Sequence, residues 1–96
     1  MGAGPGKGGA VSYRLEFTTS ADKEFQALPL DVRRRLDARV KALRVEPRPH
    51  GVETLTGSMK GLFRIRVGHY RVVYEVDERE QVITITRVWR QGTAYR

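Results

Sequence analysis

The chain lacks cysteine, and it also lacks any long apolar run. Without cysteine, neither a disulfide nor a thiolate-ligated metal site can form, which fits a reducing compartment. No apolar segment approaches the roughly 20 residues of a membrane-spanning helix, and the N-terminus lacks the apolar core of a signal peptide. The sequence therefore predicts a soluble, cytoplasmic protein that does not bind membranes.

Several motifs of common enzymes are also missing. There is no Walker-type phosphate loop, no His-x-x-x-His pair and no cysteine nucleophile. The only histidines are His50, beside a proline, and His69, at a predicted turn, where a histidine is usually just exposed. Glu75 and Asp77 are more often surface charges than bases. Any catalysis would therefore rely on electrostatics and positioning.

Lysine is scarce, yet the chain is strongly basic. The net charge is +7 and the pI is near 10.4, so arginine supplies most of the charge. The planar guanidinium suits bidentate binding of phosphate. A basic domain favours a nucleic acid or an acidic protein as partner. An arginine-rich codon usage would produce the same composition, so charge alone does not decide.

The length of 96 residues is enough for one domain with one core. Residues 1–10 contain five glycines and almost no apolar side chain, which predicts a disordered leader. Residues 11–96 are predicted to form the single domain. A first strand starts near Tyr13, and Ser20 is the predicted N-cap of a short helix that Pro29 stops.

A second helix is predicted from Asp31, as its cap, to about Arg44. Its apolar residues recur at helical spacing and form one stripe, which consists of Val32, Leu36, Val40 and Leu43. The arginines on its flanks are typical of a solvated helix face, although a docking surface would look the same.

Three strands are predicted in the second half, at about Leu62–Val67, Tyr70–Asp77 and Val82–Val88. The order is β-α-α-β-β-β. Because two helices with apolar stripes need an apolar surface, we expect an α+β fold. In this fold the two helices pack on one face of a small, mainly antiparallel sheet, and the other face stays open.

The first of these strands alternates strictly. Phe63, Ile65 and Val67 take one side, and Arg64 and Arg66 take the other. This alternation predicts a strand that is half-buried, with its arginines on the open face.

The hairpin turn is predicted at Gly68-His69, with glycine at the first position, as a type II′ turn prefers. This turn places Arg66 opposite Arg71, with Arg64 nearby, and we call these three residues the arginine face. Like charges directly opposite one another destabilise a sheet. The cluster is easiest to explain if a polyanion binds there, although exposed strand arginines without a function are also common.

Arg90 and Tyr95 extend the predicted site. If Ile83 and Ile85 pack under the helices, Arg90 has the opposite parity and projects near the arginine face, where Tyr95 can fold back. Four guanidiniums and a phenol suit stabilisation of charge in phosphoryl transfer. They equally suit binding of an RNA backbone, with tyrosine or tryptophan stacking on a base.

The segment FRIRVGHYRVVYEV, which begins at Phe63, closely resembles the signature hairpin of the RelE/ParE toxin superfamily. The resemblance runs from Tyr13 to Arg96 and includes Leu55-Thr56-Gly57 and Ala94-Tyr95-Arg96. On these residues the chain is identified as a member of the RelE-like branch. The resemblance implies the RelE-like, microbial RNase-type fold.

The resemblance also implies a function. The chain would be the toxin of a type II toxin–antitoxin pair, neutralised by a cognate antitoxin in a complex larger than a heterodimer. RelE-like members enter the ribosomal A site, beside the 16S rRNA, and cut mRNA there. The nucleotide's own 2′-hydroxyl attacks the adjacent phosphate, so no metal or cofactor is required.

The resemblance assigns catalytic roles to five residues, namely Arg64, Arg66, Arg71, Arg90 and Tyr95. The first two match basic positions that are lysines in the best-known RelE pattern. Because arginine stays protonated, these two would stabilise the transition state and not accept a proton. Arg71 and Arg90 would hold the scissile phosphate and steady the leaving group, and Tyr95 would act as the base.

Two other functions stay open. A ParE-like protein inhibits DNA gyrase by binding and cleaves nothing, and a degenerate member would only bind its antitoxin. The ParE-like branch generally lacks the full set of basic residues and the tyrosine. The presence of Arg64, Arg66, Arg71 and Tyr95 together therefore favours the nuclease.

Overall fold

A computed structural model of the chain describes residues 12–92, so the predicted leader and Tyr95 lie outside the described residues. The elements in chain order are β1 Arg14–Phe17, α1 Thr19–Gln26, α2 Leu30–Ala42, β2 Glu53–Thr54, β3 Leu62–Val67, β4 Tyr70–Asp77 and β5 Val82–Arg90, with a short 3₁₀ turn at Gly57–Met59. The predicted order of helices and main strands is confirmed, and the two-residue β2 is an addition to it.

The five strands form one sheet in the order β1-β5-β4-β3-β2. Neighbouring strands are antiparallel except β1 and β5, which pair in parallel from Arg14↔Val82 to Phe17↔Ile85. The predicted mainly antiparallel sheet is therefore confirmed. Neither helix in residues 12–92 is long and apolar enough to cross a bilayer.

The core lies between one face of the sheet, which we call the helix face, and the helices. On α2, Leu36 and Val40 are 1% exposed, and Leu43 just after it is 2% exposed, as the predicted stripe requires. They belong to one cluster with apolar residues of the sheet, among them Ile65, Val72, Tyr74, Ile83, Ile85 and Val88. Burial of each such side chain contributes about 1.5–3 kcal/mol.

Both predicted helix caps are wrong. Thr18, not Ser20, caps α1, because its Oγ1 accepts the N–H of Ala21 at 3.1 Å. A cap must stand before the first helical residue to reach that donor. In α2, Pro29 occupies the cap position without a side-chain bond, and Asp31 lies inside the first turn. A carboxylate there still favours the helix N-terminus.

The α2 helix also ends at Ala42, slightly before the predicted end near Arg44. The N–H groups of Leu43 and Arg44 bond to carbonyls three residues back, at 3.1 Å each, so the chain tightens as it leaves the helix.

The predicted hairpin is confirmed in bounds and in register. Arg66 pairs with Arg71, and Val67 pairs with Tyr70 across the turn. Within the turn only Gly68 has a positive φ, of 59°, as the first central residue of a type II′ turn requires. The like-charged pair is therefore built into the fold.

A bulge interrupts the pairing of β4 with β5. Val73 pairs with Arg87 while its neighbour Tyr74 pairs with Ile85, so Thr86 is the extra residue. The Thr86 hydroxyl donates to the Val73 carbonyl at 3.1 Å, and the Thr86 carbonyl accepts from Thr18 at 3.4 Å. An extra residue reverses which side chains point to which face.

Candidate functional site

The face of the sheet opposite the helices carries two rows of cross-strand neighbours. The first row consists of Glu53, Arg64, Val73 and Arg87, and the second consists of Arg66, Arg71 and Trp89. Neighbours in such a row have Cβ atoms about 4.5–5.5 Å apart. The predicted grouping of Arg64, Arg66 and Arg71 on one face is therefore what the register gives.

Arg71 is held more tightly than the other two. It is 7% exposed, and it is the one charged side chain in residues 12–92 that is buried. Its Nη1 donates to the Tyr70 carbonyl at 3.3 Å, and its Nη2 donates to Oε1 of Gln91. The Gln91 N–H in turn donates to the His69 carbonyl at 2.6 Å. The Arg71 guanidinium is thus fixed in direction by the hairpin turn and the end of β5.

Arg64 forms an ion pair across the edge of the sheet. Its Nε donates to Oε1 of Glu53 at 2.7 Å. This hydrogen bond, and then the positive charges of Arg64, Arg66 and Arg71, hold the pKa of the Glu53 carboxyl below its usual range. Glu53 is therefore ionised at neutral pH, and it partly neutralises the arginine face.

Arg66 is exposed, and no hydrogen bond or ion pair holds its guanidinium within residues 12–92. It stands directly opposite Arg71. The centre of the arginine face thus combines one buried cation that is held in place with one cation that is exposed to solvent. Such a pair attracts an anion that can contact both.

The predicted position of Arg90 is wrong. Arg90 pairs with Tyr70, which pairs with Val67, and both of these pack on the core, so the register assigns Arg90 to the helix face. The Thr86 bulge is the physical reason, because it shifts the alternation by one residue.

Two side chains that the sequence did not predict lie on the face opposite the helices in place of Arg90. They are Arg87 and Trp89. A signal existed, because Ile83 and Ile85 are followed by Val88 and not by an apolar residue at position 87. That break in the period of two is typical of an inserted residue.

Arg87 is paired with a carboxylate from α1. Its Nη2 lies 2.9 Å from Oε2 of Glu24, and the other oxygen of Glu24 accepts the Val88 N–H at 2.7 Å. Glu24 thereby closes the edge of β5 beyond the end of β1. Trp89 lies next to Arg71 in the second row and is half-buried.

A cleft of about 310 Å³ adjoins the arginine face at the β2 edge. It is lined by Arg39, His50, Gly51, Glu53, Ile65 and Arg66. Arg66 belongs to the arginine face and also lines the cleft, as does Arg39 of α2, so the basic surface continues around the edge toward α2. Within residues 12–92 no three histidine, aspartate or glutamate side chains converge as a metal site would need. Tyr95 lies outside the described residues, so its place over this face stays a prediction.

Comparison with known proteins places this arrangement in a family. Residues 15–95 match the family described as the ParE toxin of the type II toxin–antitoxin system, parDE. Among curated proteins none matches the sequence.

Several solved structures share the fold. The toxin–antitoxin complex RelBE2 from Mycobacterium tuberculosis is 28% identical with a TM-score of 0.78, covering 85% of this chain and 94% of that one. The archaeal RelE–RelB complex from Pyrococcus horikoshii OT3 is 34% identical with a TM-score of 0.73, covering 86% and 99%. The isolated Escherichia coli RelE toxin is 27% identical with a TM-score of 0.75, covering 86% and 88%.

Proposed function

This chain belongs to the RelE/ParE superfamily of type II toxin–antitoxin toxins, and from that premise we propose that it is a ribosome-dependent endoribonuclease. It cleaves mRNA in the ribosomal A site by attack of a 2′-hydroxyl on the adjacent phosphate, and so stops translation in the cytoplasm. The observation that carries the proposal is the hairpin register, which aligns Arg64, Arg66 and Arg71 on one face with Arg66 opposite Arg71.

The arginine face fits the charge changes of this reaction. Attack on the phosphate places negative charge on its oxygens and on the leaving 5′-oxygen. Donors that already point at such a position stabilise the transition state without reorganising. Tyr70 and Gln91 hold the Arg71 guanidinium in one orientation, so we assign it the scissile phosphate. The less constrained Arg64 and Arg66 then neutralise the developing charge.

Trp89 supplies a flat apolar surface beside this phosphate position. It neighbours Arg71 in the second row, and it is the only tryptophan of the chain. Bases of single-stranded RNA stack on aromatic side chains, at about 1–3 kcal/mol per base. We therefore assign Trp89 to a base that flanks the cleaved bond.

We assign proton abstraction to Tyr95, following the resemblance of the C-terminal Ala94-Tyr95-Arg96 to the family. Arg90 would reach the phosphate only around the end of the sheet, since its register is that of the helix face. The phosphate contacts are therefore given to Arg71 and not shared with Arg90.

The partners follow from the family. The solved structure from Mycobacterium tuberculosis is a toxin–antitoxin complex, and the one from Pyrococcus horikoshii is a complex of RelE with RelB. We propose that this chain likewise has a cognate antitoxin, and that the ribosome with its 16S rRNA and mRNA is its target.

Primer extension on an mRNA in a purified translation system tests the proposal. The wild-type protein should produce new stops at A-site codons only when ribosomes are present. Arg71→Ala and Tyr95→Phe should each slow cleavage by ~10²–10³-fold with the fold intact, because each removes one group that acts in the transition state. The matched control is Arg14→Ala, an exposed arginine of β1 that should cleave as the wild type does.

Wild-type cleavage by both Arg71→Ala and Tyr95→Phe would remove these residues from the mechanism. The match to the ParE family favours a second candidate, inhibition of DNA gyrase by binding. Absence of mRNA cleavage together with inhibition of gyrase supercoiling by the same preparation would replace the nuclease with this activity.

A further inference from the structure

Glu53 is the carboxylate that meets the arginine face directly. It stands opposite Arg64 on the edge strand β2, and its Oε1 accepts from Arg64 Nε at 2.7 Å. The two side chains are 48% and 34% exposed, so solvent and ligands reach the pair. Glu53 is therefore paired with an arginine, Arg64, that the proposed reaction uses.

A carboxylate and a phosphate present the same features to a guanidinium. The planar carboxylate and the tetrahedral phosphate each have negative oxygens that accept hydrogen bonds from the parallel N–H groups of the guanidinium. The low pKa of the Glu53 carboxyl keeps it in the charged form that competes with phosphate. Glu53 lies beside three arginines and lines the adjoining cleft. The same positive charges would attract an RNA phosphate to this place.

We propose that Glu53 is an internal competitor of the substrate: it holds Arg64 in the free protein, and an RNA phosphate must displace it to bind there. The inference rests on the proposed function for the identity of the polyanion as RNA. Glu53 takes no part in bond making or breaking, and it acts only through Arg64.

A competitor of this kind favours RNA that is already held in place. RNA that is free in solution must displace Glu53 while the RNA is present only at its bulk concentration. RNA positioned on the ribosome is present at a much higher effective concentration once the protein has docked, so the displacement is easily achieved. The ion pair thereby raises the selectivity for presented RNA over free RNA.

The test is the affinity for a fluorescently labelled, single-stranded 2′-O-methyl RNA, which cannot be cleaved, measured by anisotropy over a series of salt concentrations. Glu53→Gln should bind about three- to fivefold tighter at low salt, the size expected for an exposed ion pair. Salt also weakens the Glu53–Arg64 pair, which competes only in the wild type, so log K should fall more steeply with log salt in Glu53→Gln, and its gain should shrink as salt rises.

Glu16→Gln is the matched control. Glu16 also pairs with an arginine on an edge strand, Arg14 on β1, and its neutralisation changes the net charge equally. Equal changes in Glu53→Gln and Glu16→Gln would overturn the proposal, because they would show an effect of total charge alone.

The Arg64→Ala background separates competition from other effects. The gain from Glu53→Gln should vanish there, and a gain that persists would overturn the proposal. Thermal melting of Glu53→Gln checks that its fold is unchanged. Tighter binding by Glu53→Gln without any cleavage on ribosomes would refute the nuclease while the competition stands, so the two proposals fail separately.

Discussion

The two faces of the sheet are made by the same strands but present opposite kinds of side chain. On the helix face, Ile65, Val72 and Ile85 are at most 3% exposed and pack in one apolar cluster. On the other face, the same hairpin places Arg66 directly opposite Arg71. Alternation along one strand therefore places apolar side chains on one side and cationic side chains on the other.

The energies of the two faces differ in sign as well as in size. Each large apolar side chain buried on the helix face contributes about 1.5–3 kcal/mol. An exposed ion pair such as Arg64–Glu53 contributes about 0–1 kcal/mol, and opposed like charges destabilise the sheet. The arginine face therefore depends on the helix face for its stability.

The largest expected effect comes from placing a charge on the helix side. Leu36→Asp should lower the free energy of unfolding by about 4 kcal/mol or more, because it buries a carboxyl among apolar side chains. Urea denaturation measures this loss. Ala38→Asp on the exposed side of the same helix should lose less than about 1 kcal/mol. Similar losses in both variants would mean that the helix face is not the main source of stability.

A smaller effect concerns Tyr74, whose side chain is fully buried on the helix face. The Tyr74 hydroxyl donates to the Pro47 carbonyl at 2.6 Å, and burial raises the pKa of Tyr74 to about 12. The folded state then keeps a proton that the unfolded chain has lost above its ordinary pKa near 10. Stability should therefore fall as the pH rises from 10 to 12.

Spectrophotometric titration of the tyrosines measures this directly, because Tyr74 should ionise in a late transition, about two units above its ordinary pKa near 10. The hydrogen bond to Glu78 raises the pKa of Tyr13 as well, so comparison with Tyr74→Phe identifies the transition of Tyr74. Tyr74→Phe should remove the late transition and flatten the loss of stability between pH 10 and 12. A single common transition in the wild type would contradict the burial of this hydroxyl.

The smallest expected effect has the opposite sign and lies on the arginine face. Arg66→Thr should raise the free energy of unfolding by about 0.5 kcal/mol, because it removes the repulsion from Arg71 and adds a β-branched residue to a strand. Thermal melting at low salt should show the gain, and higher salt should reduce it.

Arg14→Thr, at an exposed and ion-paired position of β1, should show no such gain. RNA binding should weaken in Arg66→Thr while stability rises. A variant that loses both stability and binding would show that the two faces are not opposed in this way.

The parts of this fold that could be predicted from the sequence are those with local signals. The hairpin follows from strict alternation and from Gly68, which alone in the turn adopts a positive φ. The α2 stripe follows from the spacing of Leu36, Val40 and Leu43. Both features lie within one short segment, so no distant partner had to be known.

The parts that were missed depend on distant partners. The bulge at Thr86 is held by Thr18, which is the cap of α1, and by Val73, which lies on β4. It moves Arg90 off the arginine face and brings Trp89 onto it. Glu53 was missed because a two-residue strand has no periodic signal of its own.

The parallel pairing of β1 with β5 also fixes when the molecule can be completed during its synthesis. The strand Arg14–Phe17 is made early, but its partner Val82–Ile85 is made only after the whole hairpin, and Gln91, which orients Arg71, is made later still. Domains fold as units while the chain is made, and long-range pairing comes late. A chain interrupted before β5 would carry all three arginines of the hairpin without the support that aims the central one. The orientation of Arg71 is therefore fixed only after the last strand and Gln91 have been made.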